Sequence, residues 1–223
     1  MAWGSVEPGS FGDFFPNGNY VGWKEQLRDY YQNEMSSAEK AEMEMEERIL
    51  FSKFSGKFTK DRGALKPQER PTEFRTVATH KSLASLIILS SRLLAVDASL
   101  KEVIETLEPG VHQFWPIRIT MPKGKEYPVQ YYGMVIRRFL DSFSPDQSES
   151  GSWYKAESGL YFVALPKKQL YGGLALSRDV IGTNHLWREH KLRNPVVFYS
   201  DALQAEFGRR GLRIPKHYKL GEV

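Results

Sequence analysis

The segment Glu108–Ile119, EPGVHQFWPIRI, decides how this chain is read. Before it, SLKEVIETL sets Leu100, Val103, Ile104 and Leu107 along one side, the spacing of an amphipathic helix. Pro109 cannot continue that helix, and Gly110 can turn the chain at positive φ. Past the turn, HQFWPIRITM is rich in β-branched and aromatic residues and reads as a strand. Phe114, Ile117 and Ile119 do not keep one alternation. Pro116, which cannot donate to a ladder, is therefore expected to break the phase at an edge or a bulge. Phe114 and Trp115 point to opposite faces, so only one of them need be core. His112 has no catalytic companion along the sequence, and the segment reads as a joint between helix and strand.

Working outward toward the N-terminus, residues 1–20 are rich in Gly, Pro, Asn and Phe and read as an irregular arm anchored by Phe11, Phe14 and Phe15. Trp23, Leu27, Tyr30 and Tyr31 mark a short helix to about Asn33. Ser36 and Glu39 form a capping box, which opens a helix expected to run to about Phe54 and stop at Gly56. The charged, proline-containing residues 56–73 read as an exposed connection. HKSLASLIILSS, from His80, is apolar enough for a buried helix, RLLAV permits a short strand, and Ser99 with Glu102 makes a second capping box.

Beyond the joint, VQYYGMVIRRFL, GLYFVALP, GLALS and PVVFYS read as strands, and Ser200 can cap a late helix over DALQAEFG. The order gives an α+β fold: N-terminal helices followed by a mostly antiparallel sheet with a late C-terminal helix. Two parts follow from it. Residues 1–55 form an arm and helices, packed on the body or independent of it, and residues 74–223 form the α+β domain.

With 41% hydrophobic and 26% charged residues, the composition is that of a folded globular protein. No stretch approaches the 18 or so consecutive apolar residues of a membrane span. The N-terminal residues lack the pattern of a signal peptide, so the expected location is the cytoplasm. Zero cysteines exclude disulfides and thiolate chemistry. Charge is segregated: residues 1–50 carry ten acids against four bases, net −6, and the rest carries 27 bases against 17 acids, net +10.

The search for chemistry returns little. His185 and His190 in HLWREH stand five residues apart, unlike the i, i+4 pair of a zinc-protease helix. No G-x-S-x-G elbow, phosphate loop or dinucleotide fingerprint occurs, and YGGLALS reads as a turn before a strand. No catalytic residue, metal ligand or cofactor is therefore assigned. RRFL, HLWREHKLR and GRRGLRIPKHYK leave a basic nucleic-acid-binding module as an alternative, although residues 186–223 hold only eight bases against four acids. Aromatic and arginine side chains dominate binding hot spots, which makes Trp153, Tyr154, Trp187, Arg188, Arg209 and Arg210 candidates for a protein interface. Asp146, in the polar loop LDSFSPDQSESGS, joins them as a loop residue.

SLKEVIETLEPGVHQFWPIRI, FLDSF, YFVALPKKQLYGGLALSRDVIGTNHLWRE and VVFYSDALQAEFGRRGLR, in that order, resemble an immunity-protein family of bacterial polymorphic toxin systems. The resemblance covers about residues 85–215 and leaves residues 1–75 uncovered. The arginine of the family's "lwR" step falls on Arg188. What the resemblance implies is a cytoplasmic inhibitor that binds a cognate toxin and occludes it without catalysis. An enzyme that reverses the toxin's modification is a further alternative. Because inhibitors and targets favour opposite potentials, the basic body implies an acidic toxin face, unless the acidic N-terminal segment itself makes the contact.

Overall fold

Trp115, Ile117 and Ile119 are buried and alternate with exposed Pro116 and Arg118 along the strand Gln113–Thr120. The expected break of phase at Pro116 is therefore absent. Pairing with Tyr131–Val135 runs in unbroken register from Gln113↔Val135 to Ile117↔Tyr131, so no bulge forms. On the other side of Gln113–Thr120, only Arg118–Thr120 are paired, with the strand Glu73–Thr76. Pro116 thus has one strand partner, Tyr132, and its missing N–H falls where the second ladder has not begun. Trp115 is the core residue of its pair, and Phe114 is half-buried.

The computed structural model describes residues 1–42, 49–193 and 197–223. The fold is α+β. The chain divides into two compact units, each discontinuous in sequence: Met1–Ser10, Ser99–His112 and Ile136–Val223 form one, and Phe11–Ala98 and Gln113–Val135 form the other. The chain passes from the first to the second inside the opening segment, between His112 and Gln113.

The Phe11-containing unit has a six-stranded sheet in the order Gly18–Tyr20, Glu73–Thr76, Gln113–Thr120, Tyr131–Val135, Leu94–Asp97, Leu86–Ile88. Only the Glu73–Thr76 pairing with Gln113–Thr120 is parallel. Helix Trp23–Asp29, prolonged by a wider turn over Tyr30–Glu34, and helix Leu50–Gly56 supply Trp23, Leu27 and Phe54 to its core. Trp23 stacks on Phe58 at 5.3 Å and donates its indole N–H to the Glu69 carbonyl at 2.9 Å. Glu69 also meets the Lys57 ammonium at 2.7 Å in a buried ion pair.

The Met1-containing unit has a five-stranded sheet in the order His217–Lys219, Ala2–Ser5, Phe198–Ser200, Leu186–Glu189, Phe139–Leu140. Helix Asp201–Arg209 buries Leu203 and Phe207, with Phe207 packed edge-on to Tyr199. Trp187 and Phe198 stack at 5.9 Å among Ala2, Leu174, Leu176 and Ile181. A hairpin, Trp153–Lys155 with Tyr161–Val163, closes on this core through Trp153, Tyr161 and Val163. Helix Ala98–Leu107 buries Leu100, Val103 and Ile104 and ends at the Pro109–Gly110 turn, with Gly110 at φ 71.

Several expectations are corrected. Residues 1–20 are not an irregular arm throughout, because Ala2–Ser5 and Gly18–Tyr20 are strands within the two sheets. Residues 80–90 are not an α-helix; they contain the strand Leu86–Ile88 and lead into the short turn Ser90–Arg92. The Ser36–Glu39 capping box is present, with the Ser36 hydroxyl accepting from the Glu39 amide at 3.2 Å and the Glu39 carboxylate accepting from the Ser36 amide at 3.1 Å. The helices observed in that region are Ser37–Glu42 and Leu50–Gly56, and the middle of the expected helix lies outside the described residues. Ser99 is not a cap, since its helix begins one residue earlier, at Ala98.

Candidate functional site

The motifs that carry the resemblance converge on the strand Leu186–Glu189, all four residues of which are buried. Glu108, the last residue before the Pro109–Gly110 turn, reaches its first end. One carboxylate oxygen accepts from the His185 amide at 2.8 Å, and the other accepts from the Leu186 amide at 3.1 Å. The second oxygen also lies 2.6 Å from Nε2 of buried His112. The Arg137 amide donates to His112 Nδ1 at 3.3 Å, so a neutral ring carries its proton on Nε2 and donates it to Glu108. Burial opposes ionisation of Glu108, but the bonds from His112 and the His185 amide outweigh it and hold the carboxyl below its ordinary range.

At the far end, Glu189 is 3% exposed and collects four donors. Its Oε1 accepts from the Ser142 hydroxyl at 2.6 Å and the Trp187 indole at 3.0 Å. Its Oε2 accepts from the amides of Ser142 at 3.0 Å and Phe143 at 3.2 Å. Burial is the larger effect here and pushes the carboxyl up to about 7 against those bonds. Ser142 and Phe143 come from FLDSF, whose first residues, Phe139 and Leu140, pair in parallel with Arg188 and Glu189. The two motifs are therefore clasped both by ladder and by side chain.

Ser200 caps the C-terminal helix by accepting from the Leu203 amide at 3.2 Å, and its hydroxyl lies 2.8 Å from His185 Nδ1. This pair borders a cleft of about 440 Å³ that Asn184 and Glu222 also line. A serine beside a histidine invites comparison with a nucleophilic triad. Glu108, however, holds His185 by its backbone amide and not by its ring, so the bond that orients the base in such a triad is not made. Among the described residues, no three histidine, aspartate or glutamate side chains group to hold a metal ion. The arrangement braces a strand, and its carboxylates are too buried to meet a substrate.

The interface candidates divide by burial. Trp187 is 0% exposed and Arg188 6%. Both are core residues of the strand Leu186–Glu189, which corrects their expected place at a contact surface. Trp153 is half-buried, with its ring against Tyr161 and Phe143. Tyr154, the next residue on the strand, is exposed, as is Asp146 on the short turn Pro145–Gln147. Arg209 is exposed and bound to Glu206, and Arg210 bridges Glu102 at 3.2 Å. Both arginines thus have acidic partners within the chain, which weakens their claim on a phosphate backbone. Glu108, Ser142 and Glu189 were not singled out by sequence reasoning. Each lies inside a motif; His112 stands four residues from Glu108 and Trp187 two from Glu189, but their other partners stand 46 to 78 residues away.

A family model described as an immunity protein family, Imm11, matches residues 13–218. The chain belongs to this family. The match extends well before residue 85, into the region of the N-terminal helices. Among curated proteins, none matches the chain. In this Imm11 protein the motif residues are spent on holding one buried strand. Among the described residues, no helix is long and apolar enough to cross a membrane.

Proposed function

We propose that this Imm11 protein binds a cognate bacterial toxin and neutralises it by covering a functional face, without catalysis of its own. The toxin belongs, on this reading, to a polymorphic system used in competition between bacteria, with type VI secretion as its delivery route. The protein acts on it in the cytoplasm. Membership of an immunity family across residues 13–218 is the observation that carries this reading. Burial of Glu108 and Glu189 agrees with it, because these two carboxylates are engaged in a structural clasp and are not held open to a substrate. Asp146, Trp153, Tyr154, Arg209 and Arg210 remain the proposed contact residues.

The test is co-expression with the product of the neighbouring gene, followed by size-exclusion chromatography and a growth assay. A stable complex and rescue of growth are expected. Separate elution together with unrelieved toxicity overturns the proposal. Rescue without a complex, accompanied by a change of mass on the toxin's target, would favour an enzyme that reverses the toxin's modification.

A further inference from the structure

We infer that the outer face of the hairpin Trp153–Val163 is the surface that seats the toxin, and that it fits an apolar patch rimmed by carboxylates. This deepens the toxin-binding reading and rests on it. In the hairpin, Lys155 pairs with Tyr161, Tyr154 with Phe162, and Trp153 with Val163. Alternation along each strand sends Trp153, Tyr161 and Val163 inward, against Phe143 and the core of the unit. The same alternation turns Tyr154 and Phe162 outward. Their rings stack at 5.4 Å and 14°, and nothing in the core requires them. Tyr154 is 52% exposed, and Leu165, two residues beyond the second strand, is 50% exposed. A stacked aromatic pair fixed on a rigid hairpin is an anchor of the kind that supplies most of an interface's binding energy, since it loses little side-chain freedom on contact.

Charge selects the occupant. From Trp153 to Lys168 the chain carries three lysines against Glu157 alone. Lys155 lies on the Tyr161 side of the hairpin with its ammonium 5.5 Å from the centre of that ring, and Lys167 and Lys168 follow Leu165 as the cations of the margin. All four side chains are exposed. The exposed residue Arg193 is held beside the hairpin by its backbone N–H, which donates to the Tyr161 carbonyl at 3.0 Å. Lys191 also lies at this edge, but it faces Asp141 at 3.6 Å and is partly neutralised. An apolar centre within a cationic margin complements an acidic protein face, and it would repel the basic face of a second copy of this chain.

The test uses the full-length protein and the toxin-domain product of the neighbouring gene. Tyr154→Ala with Phe162→Ala is expected to weaken binding at least about 30-fold, read by calorimetry. The melting temperature should hold, because the pair faces solvent. Lys167→Glu with Lys168→Glu, which cannot disturb the core, is expected to slow association about tenfold at low salt, with the difference vanishing near 0.5 M salt. If the wild type binds and both variants bind within threefold of it, the hairpin assignment is overturned while the inhibitor reading stands. If the wild type does not bind, both fall. A shift from dimer to monomer in the aromatic variant, with toxin affinity unchanged, would give the face to a second copy and overturn the assignment as well.

Discussion

Glu108 satisfies three donors in a buried site: the His112 ring and the amides of His185 and Leu186. Removing its carboxylate leaves those donors in a buried site, where each lost partner costs far more than an exposed hydrogen bond. Glu108→Ala is therefore expected to cost about 3–5 kcal/mol, read from the urea midpoint. A loss below 1 kcal/mol would mean that water replaces the carboxylate and that the clasp is not structural. Glu189 makes a different prediction, on pH. Its carboxyl titrates near 7 in the folded protein, above its ordinary 4.5, so folding favours the protonated form. The stability this contributes is complete below about pH 4.5 and is lost as pH rises through 7, a change of about 3 kcal/mol. Glu189→Gln should remove that slope between pH 5 and 7, and an unchanged slope would reassign it to another group. Glu108, held low, acts in the opposite window: its contribution is present above its unfolded value and fades as pH falls.

Two elements show what local sequence could and could not reveal. In the pairing of Gln113–Thr120 with Tyr131–Val135, Trp115 faces Gly133. A methyl group at Gly133 would sit 2.6 Å from the indole ring, and the ring cannot retreat because its N–H is fixed to the Pro71 carbonyl at 2.8 Å. Gly133→Ala is expected to cost about 2 kcal/mol, while Gly9→Ala, with open space around it and no positive φ, serves as the comparison without the clash. Equal losses would refute the steric account. Strands on either side of strong turn formers, the Ser36–Glu39 box and the Ser200 cap were legible because their signals lie within four residues. The hairpin Leu86–Asp97 was not. Its turn is made by Ser91 at φ 56 and Arg92 at φ 60, left-handed positions that normally call for Asn-Gly. With no such residue to punctuate it, HKSLASLIILSS looks like an apolar helix, and only RLLAV reads as a strand. The turn is held from outside, by the Tyr20 hydroxyl on the Ser90 carbonyl at 2.6 Å and the Ser90 hydroxyl on the Gly18 carbonyl at 2.8 Å. Partners some 70 residues distant leave no local trace, and the same holds for the clasp of Ser142 on Glu189.

At the scale of the whole chain, discontinuity decides which pieces can fold. Every strand of the six-stranded sheet lies between Gly18 and Val135, and every segment of its unit lies between Phe11 and Val135. A fragment of residues 11–135 therefore holds a complete sheet and its core, and it carries the helix over Ala98–Leu107 as an insertion with an uncovered apolar face. Residues 136–223 are in the opposite position. Their sheet needs Ala2–Ser5 between His217–Lys219 and Phe198–Ser200, and that strand pairs with both neighbours. They also lack Glu108, so the amides of His185 and Leu186 lose their acceptor. A sheet missing an inner strand exposes two unpaired edges and the face that Ala2 fills. In dilute solution, fragment 11–135 is expected to show a cooperative thermal transition by circular dichroism and slow amide exchange in Gln113–Thr120 and Leu94–Asp97. Fragment 136–223 should show neither until a chain carrying the N-terminal strand is supplied. A cooperative transition in 136–223 alone would mean that its two sheet halves can close without Ala2–Ser5, and that the N-terminal strand is an addition to the fold and not its centre.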